Sequence, residues 1–128
     1  MVKRLKENYK NSNINLELEL PIGNRDKYSK IQEFGKGKNT EVYLQFFVQI
    51  KEWFGGIRYL SLENVYSNDG GIAICKDENK MIEIKKRSKD YKFYLIDGVY
   101  LNTTLNNNTK VDIIEKVCNH LGINAFIG

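Results

Sequence analysis

Alternation of apolar and polar positions is the first signal along the chain. Ile14, Leu16, Leu18 and Leu20 alternate with Asn15, Glu17 and Glu19, which predicts a strand over 13–20 with one wet face. Pro21 and Gly23 end it, and the polar stretch 22–40, with Gly35 and Gly37, reads as loop. Residues 1–12 before the strand form a polar, basic arm. Farther on, Val42, Leu44, Phe46, Val48 and Ile50 alternate with Tyr43, Gln45, Phe47, Gln49 and Lys51. The same stretch fits a helix, since Val42, Phe46, Ile50 and Phe54 recur every four residues. Asn39 or Thr40 could cap such a helix and Gly55-Gly56 could stop it. The β-branched and aromatic content makes a long strand the preferred reading.

The remaining pattern extends the β reading. A strand is expected over 57–65, a turn over 67–71, and hairpin arms over 72–76 and 81–87 around Asp77-Glu78-Asn79-Lys80. A turn at 88–90 leads to a strand over 91–96, and Asp97-Gly98 turns the chain into a further strand over 99–101. The polar run 102–108 follows. Val111, Ile114, Val117, Cys118 and Leu121 then make one apolar stripe, with Asp112, Glu115, Lys116 and Asn119 outside it. Thr109 with Asp112 suits the start of this helix, and Gly122 suits its end. The expected fold class is therefore α+β: an antiparallel β-sheet meander of about five to seven strands packed against one C-terminal amphipathic helix. Residues 13–128 would be a single β-rich domain behind the 1–12 arm.

Composition adds bounds. A chain of 128 residues with 41% hydrophobic and 28% charged residues is ordinary for one globular domain and too apolar for disorder. No apolar run approaches the ~18 residues of a membrane span, and no apolar stretch follows the charged opening, so neither a membrane segment nor a secretory signal is expected. Cys75 and Cys118, far apart, read as reduced thiols, and the expected location is cytoplasmic.

The net charge of +4 is concentrated. Segment 80–92 carries Lys80, Lys85, Lys86, Arg87, Lys89 and Lys92 against Glu83 and Asp90, and residues 1–12 carry Lys3, Arg4, Lys6 and Lys10 against Glu7. On a β-hairpin, Lys85 and Arg87 share one face of a strand, and Lys92 and Tyr94 share one on the next. Cations attract phosphates and an aromatic face can stack a base. A non-enzymatic nucleic-acid-binding protein is thus the leading expectation, with Lys85, Arg87, Lys89 and Lys92 on phosphates and Tyr91 or Tyr94 stacking. The basic arm would add phosphate contacts. The plainer reading is a solvated edge strand whose lysines discourage pairing.

Two other function classes stay open. One is a small inhibitor or accessory protein of a mobile element (phage, virus or plasmid) that binds another protein through an exposed sheet bearing Tyr43, Phe47, Trp53 and Tyr59. A homodimer through an edge strand is compatible with either binding class. The other is an enzyme. Asp69 followed by Glu83-Ile84-Lys85 resembles the acidic and E-x-K elements of the PD-(D/E)xK nuclease superfamily. That resemblance implies Mg²⁺ held by Asp69 and Glu83 on adjacent strands, with Lys85 activating water. Ser67-Asn68 stand where that pattern has a Pro, and Gly70-Gly71 where it has an apolar strand. The stretch from Phe34-Gly35-Lys36-Gly37-Lys38 to Lys51 looks like a kinase glycine-rich loop and lysine, but Thr40 replaces the third Gly and no H-R-D or D-F-G follows. One His and two distant Cys do not make a zinc site, so no cofactor is expected.

Overall fold

A computed structural model of the protein describes residues 1–19, 39–62, 73–87 and 92–128. Among the described residues the chain runs β1 (Val2–Arg4), β2 (Leu16–Glu19), α1 (Asn39–Phe54), β3 (Ile74–Cys75), α2 (Glu78–Arg87), β4 (Phe93–Ile96), β5 (Val99–Asn102), α3 (Asn107–Leu121) and β6 (Asn124–Ile127). The fold is α+β, and the described residues cluster as two compact units. The first comprises Met1–Gln49 with Asn106–Gly128, and the second Ile50–Leu105, the boundary falling inside α1.

In the first unit β6 lies between β1 and β2, parallel to β1 and antiparallel to β2. Leu16, Leu18, Ala125 and Ile127 bury on one face, while Lys3, Glu17 and Phe126 come into register on the other. The alternation at 14–18 was sufficient to read this strand, because half of it is wet. Residues 1–12, expected as a basic arm, contribute β1 and the fully buried Tyr9, whose hydroxyl donates to the Ile127 carbonyl at 3.1 Å.

Helix α3 forms for the reasons its stripe predicts, with Val111, Ile114, Val117 and Cys118 buried against β6 and β1. Its N-cap is Asn106, three residues before Thr109, whose backbone N–H the Asn106 side chain accepts. Gly122 ends it in the left-handed region at φ 71, where a Cβ would be strained.

The second unit holds an antiparallel sheet in the order β3-β5-β4. The β4–β5 hairpin appears where Asp97-Gly98 predicted it, and Ile74, Ile96, Val99 and Leu101 bury on its inner face.

Two elements differ from the expected meander. Residues 42–51 are helical, not a strand: Val42, Tyr43, Phe46, Phe47 and Ile50 are buried at the one-and-four spacing of a helix. Phe47 meets both Tyr43 and Phe46 edge to face at 5.1 Å, contacts worth about 0.5–1.5 kcal/mol each beyond area burial. Residues 81–87 are also helical. Asp77 accepts from the N–H groups of Asn79 and Lys80, so the residues that looked like a hairpin turn cap a helix instead. Residues 57–62 form turns, and the rest of the strand expected at 57–65 lies outside the described residues, as do the turns at 67–71 and 88–90. The sheet is consequently two three-stranded sheets with three helices among the described residues, not one long meander against a single helix.

Two substitutions test this arrangement by urea denaturation. Asn106→Ala removes the cap and should lower stability by about 1 kcal/mol, whereas Asn106→Gly should cost only a few tenths. Phe47→Ala should cost about 3–5 kcal/mol, a loss that a half-exposed strand position would not show.

Candidate functional site

The basic residues of segment 80–92 are built by α2 and the strand after it. Met81 is buried and Ile84 half-buried, which fixes the inner face of α2 and turns its last residues outward. Lys85, Lys86 and Arg87 occupy that last turn and are all exposed. At about 100° per residue they fan over roughly 200° of the helix circumference, so Lys85 and Arg87 do not share a face as they would on a strand. This corrects the expected hairpin presentation. None of the three makes an ion pair with another described residue.

Lys92 is exposed immediately before β4. Only four residues lie between it and Arg87, so their Cα atoms are at most about 18 Å apart whatever path the chain takes. Tyr94 is 46% exposed and Leu95 54% exposed on β4. They point to opposite faces, Tyr94 with Ile96 and Leu95 with its cross-strand partner Tyr100. Lys89 and Tyr91 lie outside the described residues.

The E-x-K element also falls within α2. On a helix Glu83 and Lys85 diverge by roughly 200°, so they cannot address one metal-bound water from a shared strand face as the nuclease pattern needs. Asp69 lies outside the described residues. Among the described residues no group of three His, Cys, Asp or Glu side chains draws together as a metal site. The aromatic surface expected for a protein partner is corrected too, because Tyr43 and Phe47 are fully buried in α1. Of that set Tyr59 is exposed and Trp53 half-buried.

Of the N-terminal cations Arg4 is taken up by the fold, while Lys3, Lys6 and Lys10 are exposed. Arg4 bonds Asp112 at 2.7 Å and Glu115 at 3.2 Å and lies over the Tyr9 ring. Burial works against its charge, but the two carboxylates outweigh it and hold the guanidinium above its ordinary pKa. Lys3 sits over Phe126 and Lys6 over Tyr9.

The hairpin that carries Tyr94 and Leu95 is anchored at its turn. The Asp97 carboxylate accepts from the Ile57 N–H at 2.8 Å, and Arg58 donates to the Gly98 carbonyl at 3.0 Å. Gly56, at φ 143, admits this approach, since a Cβ there would meet the Asp97 oxygen at 2.8 Å. The backbone bond from Ile57 is the main cause of the lowered Asp97 pKa. The thiols are inert by placement: burial pushes Cys118 far up, and Cys75 is buried with its Sγ–H directed at the Asp77 carbonyl. His120 is exposed at the end of α3.

One residue escaped sequence reasoning altogether. Lys110 is only 4% exposed, and its ammonium donates to Thr40 Oγ1 at 2.9 Å. The signal was its position: it precedes Ile113, Ile114 and Val117 by three, four and seven residues, on the buried stripe of α3.

Among the described residues no helix is long and apolar enough to cross a membrane. No protein-family model, curated protein or solved structure matches the chain.

The Asp97 anchor gives a pH test. A carboxylate whose folded pKa is depressed contributes stability that is present above its unfolded value and lost as pH falls through the folded one. Asp97→Asn keeps an accepting oxygen but cannot titrate, so the advantage of the wild type over this variant should shrink as pH drops below about 4. Urea midpoints of both proteins at pH 7 and pH 3 measure the difference.

Proposed function

We propose that the protein is a non-enzymatic binder of nucleic acid, single-stranded in preference to duplex. The observation that carries this reading is the run of exposed cations Lys85, Lys86 and Arg87 at the end of α2, which have no acidic partner among the described residues. Lys92 adds a further exposed cation within reach, and Tyr94 offers a ring on the adjoining strand. Lys89 and Tyr91 belong to the same stretch of sequence.

Cations at a helix C-terminus also offset the helix dipole, at about 0.3–1 kcal/mol each. That effect fades within the last turn and asks for no neighbouring aromatic. A fan of three cations suits a flexible polymer better than a flat one, because successive phosphates can follow a curved path around the helix end. Stacking on an exposed Tyr requires an unpaired base, which a duplex does not offer. By contrast, an accessory protein working through Tyr43 and Phe47 would have to unpack the core of α1.

Fluorescence anisotropy with labelled single-stranded and duplex oligonucleotides across a salt series tests the proposal. Single-strand binding should weaken steeply with salt. Replacing Lys85, Lys86 and Arg87 together by Ala should reduce the log–log salt slope by about 2, given roughly 0.7 per phosphate contact. Tyr94→Ala should cost about 1–3 kcal/mol of affinity and leave the slope unchanged. Absence of binding even at low salt, or equal affinity of the triple variant, would sink the reading and leave the cations as dipole compensation.

A further inference from the structure

We infer that the open face of the β1-β6-β2 sheet is the contact through which two copies of this chain form a homodimer. The opposite face is closed by Leu16, Leu18, Ala125 and Ile127, all buried, so the alternate residues of the same strands stand outward. Large apolar side chains are among them. Phe126 is 44% exposed, Leu5 59% and Met1 90%. A solvated sheet face ordinarily carries polar residues at such positions. Here the apolar ones are grouped. Met1 and Phe126 line one hollow of about 350 Å³. Leu5 lies beyond the ring on the other side, where a Cβ on Gly128 would stand 3.6 Å from its Cδ1.

The charges on this face decide what covers it. Register places Lys3, Phe126 and Glu17 in one row across β1, β6 and β2, and Asn124 beside Glu19 in the next. The β1 side is therefore cationic and the β2 side anionic, with the aromatic ring between them. Lys3 is exposed and the two glutamates half-buried. Each carboxylate has about four acceptor sites, so the partners it already has do not exhaust it. The Lys3 ammonium lies on the face, 5.3 Å from the centre of the Phe126 ring. Phosphates would be repelled from the β2 side, and a peptide of either charge would match one side and oppose the other.

A surface with opposite charges flanking an apolar centre is complementary to itself. A two-fold axis parallel to the strands and passing over β6 sets β1 of each copy against β2 of the other. Lys3 of each copy then meets Glu17 of the other, and the two Phe126 rings meet at the axis. An axis across the strands would oppose Lys3 to Lys3 and is disfavoured. Aligned sheets pack about 10 Å apart, a gap that a lysine and a glutamate side chain bridge together. Aromatic pairs prefer an offset to a direct sandwich, and the hollow beside Phe126 leaves room for it. The face belongs to the first unit and the α2 cations to the second, so the inference stands apart from the nucleic-acid reading.

Sedimentation velocity on the full chain across a concentration series tests the inference. One small sheet face offers fewer than the roughly 20–30 residues a side of a standard interface, so the dimer should be weak. Monomer should dominate at low micromolar concentration and dimer toward millimolar. Lys3→Glu and Glu17→Lys should each weaken dimerisation at least about tenfold, because each sets like charges face to face at two places. Mixed one to one, these two variants should associate again, since each then offers the row that the other lacks. Phe126→Thr should melt cooperatively and stay monomeric, and serves should a charge variant not fold. The Lys85, Lys86 and Arg87 triple Ala variant should dimerise as the wild type does. A wild type that stays monomeric throughout, a Phe126→Thr variant that dimerises unchanged, or a mixture no more associated than its components would overturn the inference.

Discussion

Strand β6 is the constraint on which the first unit depends. Its four residues supply every backbone partner that β1 and β2 have among the described strands, so the sheet exists only where residues 124–127 have arrived. That pairing spans nearly the whole sequence, with Val2 beside Ala125. Long-range pairing of this kind is slow to form and gains little until the loop entropy has been spent. The fold compensates with contacts that hold β6 at both ends. Gly122 reverses the chain out of α3 and delivers β6 directly, while Tyr9 and Leu5 bond the Ile127 carbonyl from the N-terminal side. Arg4 then ties β1 to α3 through Asp112 and Glu115. The charge of Arg4 is therefore structural, while Lys3, Lys6 and Lys10 stay exposed.

The elements that could be read from sequence are those with one wet face or one unambiguous stop. β2 shows clean alternation, the β4–β5 hairpin has Asp97-Gly98, and α3 has a single apolar stripe with Gly122 behind it. α1 was illegible for a physical reason. Val42 to Ile50 is apolar at nearly every position, so period two and period 3.6 both find matches, and propensity then tipped the reading toward strand. Length was the better arbiter, since sixteen residues from Asn39 to the glycine pair exceed a usual strand. α2 failed differently. Asp77 and Asn79 favour turns and helix caps through the same side-chain bonds to backbone, and local sequence does not say which will follow. The basic last turn was the missed clue, because cations gathered there complement a helix dipole and do nothing comparable for a strand.

The candidate site was legible in chemistry and illegible in geometry. Lys85, Arg87, Lys92 and Tyr94 stand out from composition alone, yet a strand would aim Lys85 and Arg87 together and a helix parts them. What survives the change is charge density, which sets long-range attraction and its salt dependence. What does not survive is any reading that needs two side chains on one face, and the E-x-K pattern was of that kind. Patterns defined by alternate residues carry chemistry only with a strand beneath them.

Lys110 shows the converse. Exposed lysines are cheap to keep, because water solvates them, and so their number says little about how many have a task. A lysine set into the apolar stripe of α3 is expensive, since each alternative of similar volume would bury there at a gain. The one hydroxyl it bonds among the described residues does not offset that cost, and the positive end of α1 adds to it. Burial accordingly lowers its pKa, which eases the cost by favouring the neutral amine.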